Sequence, residues 1–370
     1  MLFRSSVIAI SVAAFSQTRM QQVFFSIVLL AGQVLSAFWT GGVLIGIVNS
    51  GVYGLVGWII FGVFLLALVL YGWLLLRCGA CAIGVSSENR STPIRIPLLV
   101  IGLVMSTMSG FMIASYGAST FMQQIIAVAV NFLFIHWGIA GSIMMGERGT
   151  IPARARRSLP SSLLGRVFLT WLNPGAGPGY IFILLSFVGS ASTLAIAPWV
   201  LLQPNLRNIQ FSLLIYIVAM TCYLALYLGL VRLACMLLLR HVLVGRLVMA
   251  FALTLVLIVL SVVFTCSLNL AANDYQVLSF DWYCFPNPFW TLLKLFPDNG
   301  SNWGTPEEMF AVVGLVLTTL PVVFINILLT AKDVVLLRIE TPERVRVERE
   351  SRRIKEDKEK SEEEVDPVFG

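Results

Sequence analysis

The side chains able to do chemistry are few and far apart. Two histidines occur, His136 and His241. His136 lies in an apolar stretch beside Trp137, five residues after Asn131, whereas His241 sits among arginines. A structural or catalytic metal takes three or four nitrogen, sulfur or carboxylate ligands. Two distant histidines without acidic neighbours do not supply them. Cys78-Gly79-Ala80-Cys81 has CxxC spacing, but no second pair follows and no thioredoxin-like pattern surrounds it. HExxH, GxSxG and Walker A sequences are absent. The expectation is a chain with no catalytic residue, no metal site and no cofactor, and so not an enzyme. Asn131 and His136 remain candidates for lining a pore, with packing between helices as the alternative for His136.

The elements that must position these residues follow from composition. Hydrophobic residues make up 58% of the 370 residues and charged residues 12%, with a mean hydropathy of +0.88. A soluble domain is roughly half apolar and about a quarter charged, so most of this surface faces lipid. Soluble enzymes, nucleic-acid partners and disordered scaffolds are excluded. Eight stretches are long enough to cross a hydrocarbon core of about 30 Å, and none contains a charge: Val23–Val43, Leu55–Leu76, Pro97–Tyr116, Gln124–Ile143, Tyr180–Leu202, Phe211–Val231, Leu247–Leu270 and Met309–Thr330. Lipid offers no partner to an exposed backbone, so each should be helical. The predicted fold is all-α, a polytopic membrane helical bundle of about eight transmembrane helices.

Orientation follows from the basic residues. Arg4 and Arg19 precede the first stretch. Arg77, Arg90 and Arg95 follow the second, and Arg148, Arg154, Arg156, Arg157 and Arg166 follow the fourth. Arg232, Arg240 and Arg246 follow the sixth, and the tail from Lys332 to Lys360 carries the rest. The alternate connections hold only Arg207 and Lys294, which leaves 23 of the 25 basic residues on one side. Both termini are expected in the cytoplasm, and all 19 acidic residues and all 25 Lys and Arg residues are expected outside the spans. An intramembrane carboxylate, the usual mark of a proton or sodium relay, is therefore not expected either.

Five parts are expected. Residues 1–22 read as an in-plane amphipathic segment rather than a signal peptide. Residues 23–145 and 180–331 form two membrane halves of four helices each. Between them runs a cytoplasmic link, 146–179, rich in Arg, Pro and Gly, with Gly175-Ala176-Gly177-Pro178-Gly179 unlikely to stay regular. Its arginines Arg154, Arg156, Arg157 and Arg166 are candidates for docking a partner, or for touching anionic headgroups. The outer loop 271–306 gathers Trp282, Tyr283, Phe289 and Trp290, aromatic residues suited to the headgroup layer, together with Asn287. An interfacial or partly re-entrant helix is expected at Phe289–Phe296, lying on the outer surface as an anchor, gate or interface. The tail, 332–370, mixes acidic and basic residues behind a helix start at Thr341-Pro342-Glu343. Ser106, Ser109, Gly110 and Ala114 give the third stretch a small-residue face for close packing, as Gly42 and Gly46 do for the first.

Three segments resemble the membrane subunits of ABC-2-type exporters: Ser86-Ser87-Glu88-Asn89-Arg90-Ser91-Thr92, Asn287-Pro288-Phe289-Trp290-Thr291, and the fourth-to-fifth link with its Gly175–Tyr180 turn. Such permeases are typically built on six spans rather than eight. The resemblance implies ATP-driven export, with a separate cytoplasmic ATPase meeting the arginine loops and the outer aromatic segment bordering the exit. It implies a bacterial inner membrane, lipid and ATPase as partners, and a homo- or hetero-oligomer. A non-catalytic structural or assembly subunit would need the same spans and packing faces. A lipid-modifying membrane enzyme would need a base or nucleophile at one face, and none is evident.

Overall fold

A computed structural model describes residues 55–83, 91–116, 120–147, 170–200, 207–238, 246–272, 282–295, 306–337, 347–348 and 350–355. Every regular element among them is helical. In chain order these are α1 (Leu55–Ile83), α2 (Thr92–Tyr116), α3 (Thr120–Met145), α4 (Ala176–Val200), α5 (Arg207–Leu238), α6 (Arg246–Ala272), the short α7 (Pro288–Lys294) and α8 (Pro306–Leu337). Five of them, α2, α4, α5, α6 and α8, carry segments long and apolar enough to cross a membrane. The protein is a multi-pass helical membrane protein. The second to eighth predicted stretches each fall on one of the seven long helices. The stretch Val23–Val43, the segment 1–22, the pair Gly42 and Gly46, and most of the link and tail lie outside the described residues.

The helices run further than the apolar stretches at one end of the bundle. There α2 begins at Thr92 rather than Pro97, α4 at Ala176 rather than Tyr180, and α5 continues to Leu238 rather than Val231. A helix satisfies its own backbone wherever it goes, so leaving the hydrocarbon does not end it. Two arginines assigned above to connections are thereby inside helices. Arg95 is in α2 and Arg232 in α5, each 1% exposed. The expectation that acidic and basic residues stay outside the packed body fails for these two, and for Glu308 near the start of α8, which is 9% exposed.

The core lies where α2, α3, α4 and α5 meet, with α6 and α8 against α5 and α1 outermost against α2. It is built from Leu133 and Trp137 on α3, Phe182 and Phe187 on α4, and Tyr216, Tyr223 and Leu228 on α5. Within its spanning segment α5 is 61% buried, against 11% for α6 and 17% for α8. Those two therefore turn Val259, Val263, Phe264, Phe324 and Leu328 outward, as a lipid-facing surface requires. Small residues set the close approaches. On α2, Ser106 meets Thr193 of α4 at 2.6 Å between hydroxyl oxygens. A Cβ on Gly229 of α5 would lie 2.5 Å from Val322 Cγ1 and 2.9 Å from Asn326 Nδ2 of α8.

Candidate functional site

Polar side chains gather at two places, one at each end of the bundle. The first surrounds the segment between α6 and α8. Trp282–Cys284 form one 3-10 turn, the chain reverses at Phe285–Pro286, and α7 leads back out. Asn287 caps α7, its Oδ1 accepting from the amides of Phe289 at 3.1 Å and Trp290 at 3.2 Å, while Pro288 takes the first helical position, where no amide is needed. The reversal is deep. The Phe285 ring lies 3.5 Å from the Cβ position of Gly314, eight residues or about 12 Å along α8. The hydroxyl of Tyr227, which binds Pro286, lies 2.7 Å from Ser261 Oγ. Ser261 is eleven residues, or about 16 Å, from the end of α6.

A non-helical turn at that depth exposes carbonyls that lipid cannot satisfy, and neighbouring helices supply the donors. Tyr223 of α5 donates its hydroxyl to the Phe285 carbonyl at 2.5 Å. Tyr227, one turn on, donates to the Pro286 carbonyl at 2.8 Å. The Cys284 carbonyl accepts from the Asn287 amide at 2.9 Å and from Thr291 Oγ1 at 3.2 Å. Asn269 of α6, fully buried, places Nδ2 3.4 Å from the Tyr283 hydroxyl and 3.6 Å from Cys284 Sγ. The segment is re-entrant as well as aromatic. The helix expected at Phe289–Phe296 is present as α7, Pro288–Lys294; Cys284, Asn287, Thr291 and Leu295 are buried against the bundle, whereas Phe289, Leu293 and Lys294 are exposed.

The second polar assembly lies at the opposite end, around the start of α4. Arg95 donates to the carbonyls of Trp171 and Asn173, both at 2.5 Å, and to Gly175 at 3.3 Å. Its Nη2 also pairs with Glu147 Oε2 at 2.5 Å, and Ser91 donates to the other carboxylate oxygen. The guanidinium sits over the Phe182 ring, 5.6 Å from its centroid. One arginine thus ties α2, the end of α3 and the 171–175 turn together. Gly175 carries φ 124°, a conformation that only glycine adopts without strain. On the other side of α4, Arg232 donates to the Asn326 carbonyl at 2.8 Å and to Thr330 Oγ1 at 2.7 Å. Gly177 lies against it, with its Cβ position 2.9 Å from Arg232 Nη2. A side chain there would displace a bonded guanidinium.

Of the residues singled out from sequence, Tyr283, Asn287, Phe289 and Trp290 are brought together in the re-entrant segment, with Trp282 at its start. Asn131 is half-buried on α3 and bonds the Tyr216 hydroxyl. His136 is buried; its Nδ1 lies 2.8 Å from the Tyr71 hydroxyl and its Nε2 3.2 Å from the Leu98 carbonyl. A carbonyl can only accept, so Nε2 carries the proton and Nδ1 accepts from tyrosine. Phe132 and Trp137 close round the ring, and His136 joins α1, α2 and α3. Arg154, Arg156, Arg157 and Arg166 lie outside the described residues. Sequence reasoning missed Tyr223 and Tyr227, Arg95 with Glu147, and Arg232 with Asn326 and Thr330. One signal was available: Asn326 and Thr330 stand one helical turn apart within an otherwise apolar span. Among the described residues no group of three or more His, Cys, Asp or Glu is placed to hold a metal ion. The chain matches no family model, no curated protein and no solved structure.

Proposed function

We propose that this chain is the membrane permease subunit of an ABC-2-type export system, contributing part of a translocation route driven by a separate cytoplasmic ATPase. The observation that carries the reading is the re-entrant segment Trp282–Leu295, whose irregular turn sits inside the bundle on bonds from Tyr223 and Tyr227. Irregular backbone at membrane depth is kept where it is enclosed by protein or borders an aqueous path. A segment held by a few hydroxyls is one that can shift with modest energy. Residues Asn287–Thr291, which carry the likeness to the exporters' outer segment, are the cap and the first turn of α7.

In this reading the chain has eight spans, with both termini in the cytoplasm of a bacterial inner-membrane protein. The end bearing Arg95 and Arg232 faces the cytoplasm, and the arginines of the link meet the ATPase. Extracting the intact protein in mild detergent tests it. The expected result is co-isolation of a protein carrying a P-loop and hydrolysing ATP, lost when Arg154, Arg156 and Arg157 are all changed to Ala. Recovery of the chain alone, or only with other integral subunits, overturns the permease reading in favour of a structural or assembly subunit.

A further inference from the structure

We propose that the protein carries a binding site for one anionic glycerophospholipid in the groove between α1 and α2, at the end of the bundle rich in arginine. The groove is open to one side, offers about 500 Å³ and is lined by Trp73 and Arg77 of α1 and by Thr92, Pro93, Ile96 and Pro97 of α2. Trp73 and Arg77 stand four residues apart, as do Pro93 and Pro97, so each pair presents one helix face to the groove. The site does not depend on the transport reading.

Three features select the occupant. The wall is mostly apolar, and Ile96 is 43% exposed within it, which suits a glyceride backbone and the top of an acyl chain. Arg77 supplies a positive charge on an exposed side chain, and among the described residues no carboxylate pairs with it. Glu147, the described carboxylate at this end, is already held by Arg95 and Ser91. The third feature is covalent. Pro97 has no amide hydrogen, so the carbonyl of Pro93 lacks the donor that a helix normally provides four residues on. Pro93 lines the same groove as Arg77. A phosphate on Arg77, a headgroup hydroxyl on the Pro93 carbonyl and a hydrocarbon chain along Ile96 and Trp73 together describe one molecule. A free anion would leave the apolar wall uncovered, and a neutral lipid would offer the guanidinium no anionic partner. Basic pockets between helices on the headgroup side are suited to this use.

Native mass spectrometry of the full chain in detergent, titrated with phosphatidylglycerol or phosphatidylcholine, tests the site. The expected result is a single phosphatidylglycerol adduct that fills ahead of further lipid, with phosphatidylcholine bound more weakly. Arg77→Gln should weaken it about tenfold, the loss of one charge-assisted bond. Ile96→Trp, which fills the groove and leaves the charge, should do likewise, while Lys332→Gln, an exposed lysine at the same end, should change nothing. Equal binding of the two lipids, an unchanged Arg77→Gln variant, or full displacement by glycerol phosphate would overturn the proposal. So would a photoreactive side chain at position 96 that cross-links to another part of this chain instead of to lipid.

Discussion

Changing Tyr223 and Tyr227 together to Phe removes two hydroxyls and almost no apolar surface, so it isolates what holds the re-entrant segment. In the native protein these hydroxyls satisfy the carbonyls of Phe285 and Pro286 at 2.5 and 2.8 Å. Without them both carbonyls stay buried and lose their donors, at about 1–3 kcal/mol each in water-soluble proteins. Interhelical hydrogen bonds in membranes are worth less, roughly 0.6 to 2 kcal/mol, because the released groups find other partners. Taking ~1 kcal/mol for each, the pair contributes ~2 kcal/mol, and its loss raises the population of the displaced segment about 30-fold.

Cys284 reports that population, since it belongs to the segment, is fully buried and should react only when the segment moves. Its modification by a small membrane-permeant maleimide, followed at the Cys284 peptide by mass spectrometry, tracks the open fraction when closing outpaces labelling. The double variant should label about 30-fold faster than the native chain and each single variant by an intermediate factor. Tyr180→Phe is the control. It loses a bond of the same kind, to the Ala225 carbonyl of α5 at 2.9 Å, which is not part of the segment, and should leave the Cys284 rate unchanged. A double variant that stays folded yet labels within twofold of the native rate would refute the idea that these hydroxyls hold the segment.

Three further outcomes are expected. Gly229→Ala pushes a methyl group to 2.5 Å from Val322 and should lower stability in detergent by about 1–3 kcal/mol, whereas Gly189→Ala, with nothing within 4 Å, should be neutral or slightly stabilising; thermal unfolding of the two distinguishes them. Arg95→Ala abandons three carbonyls and Glu147, and its unfolding midpoint should fall further than that of Glu147→Gln, where the guanidinium keeps its carbonyls; the reverse order would mean that the ion pair, not the turn, is what Arg95 serves. Single cysteines placed at Trp303 and Ala155 should label from outside and only from inside, respectively, and any other pattern contradicts eight spans with cytoplasmic termini.

Apolar length made the long helices legible, because a hydrocarbon layer imposes the same twenty-residue demand on every span. Leu247–Leu270 therefore coincides closely with α6. Less legible were the places where a residue's role depends on a partner far away in sequence. Arg95 and Arg232 read as markers of topology, and their charge does sit at the arginine-rich end. Their burial comes from carbonyls 76 to 94 residues away, which hydropathy cannot register. The glycines of 175–179 read as an irregular run, yet only Gly175 is outside the helix: Ala176–Gly179 are the first turn of α4, where Gly177 and Gly179 make room for two guanidinium groups. Tyr223 and Tyr227 drew no notice because tyrosine in an apolar span is compositionally ordinary. Their spacing of one helical turn gains meaning only once the reversal at Phe285–Pro286 is set against that face of α5.

The two polar assemblies solve the same problem with different donors, and depth explains the difference. Each irregular stretch, 171–175 at one end and 284–286 at the other, leaves carbonyls that its own helix cannot satisfy, and each is answered by side chains from a neighbouring helix. Arg95 lies three residues into α2, about 5 Å from its start, close enough to the headgroup layer for a charge to be tolerated with Glu147 beside it. Arg232 lies six residues, about 9 Å, from the end of α5. Tyr223 is nine residues further in, where an ionised donor would meet the full cost of leaving water. A phenol offers a single neutral donor there on an apolar ring that packs like phenylalanine. Charge where the bundle meets the headgroups and hydroxyls where it does not would give a fastening of differing strength at the two ends. The arginine end, with several charge-assisted bonds per side chain, is the fixed one. The end fastened by two tyrosine hydroxyls is the one from which a segment can be released.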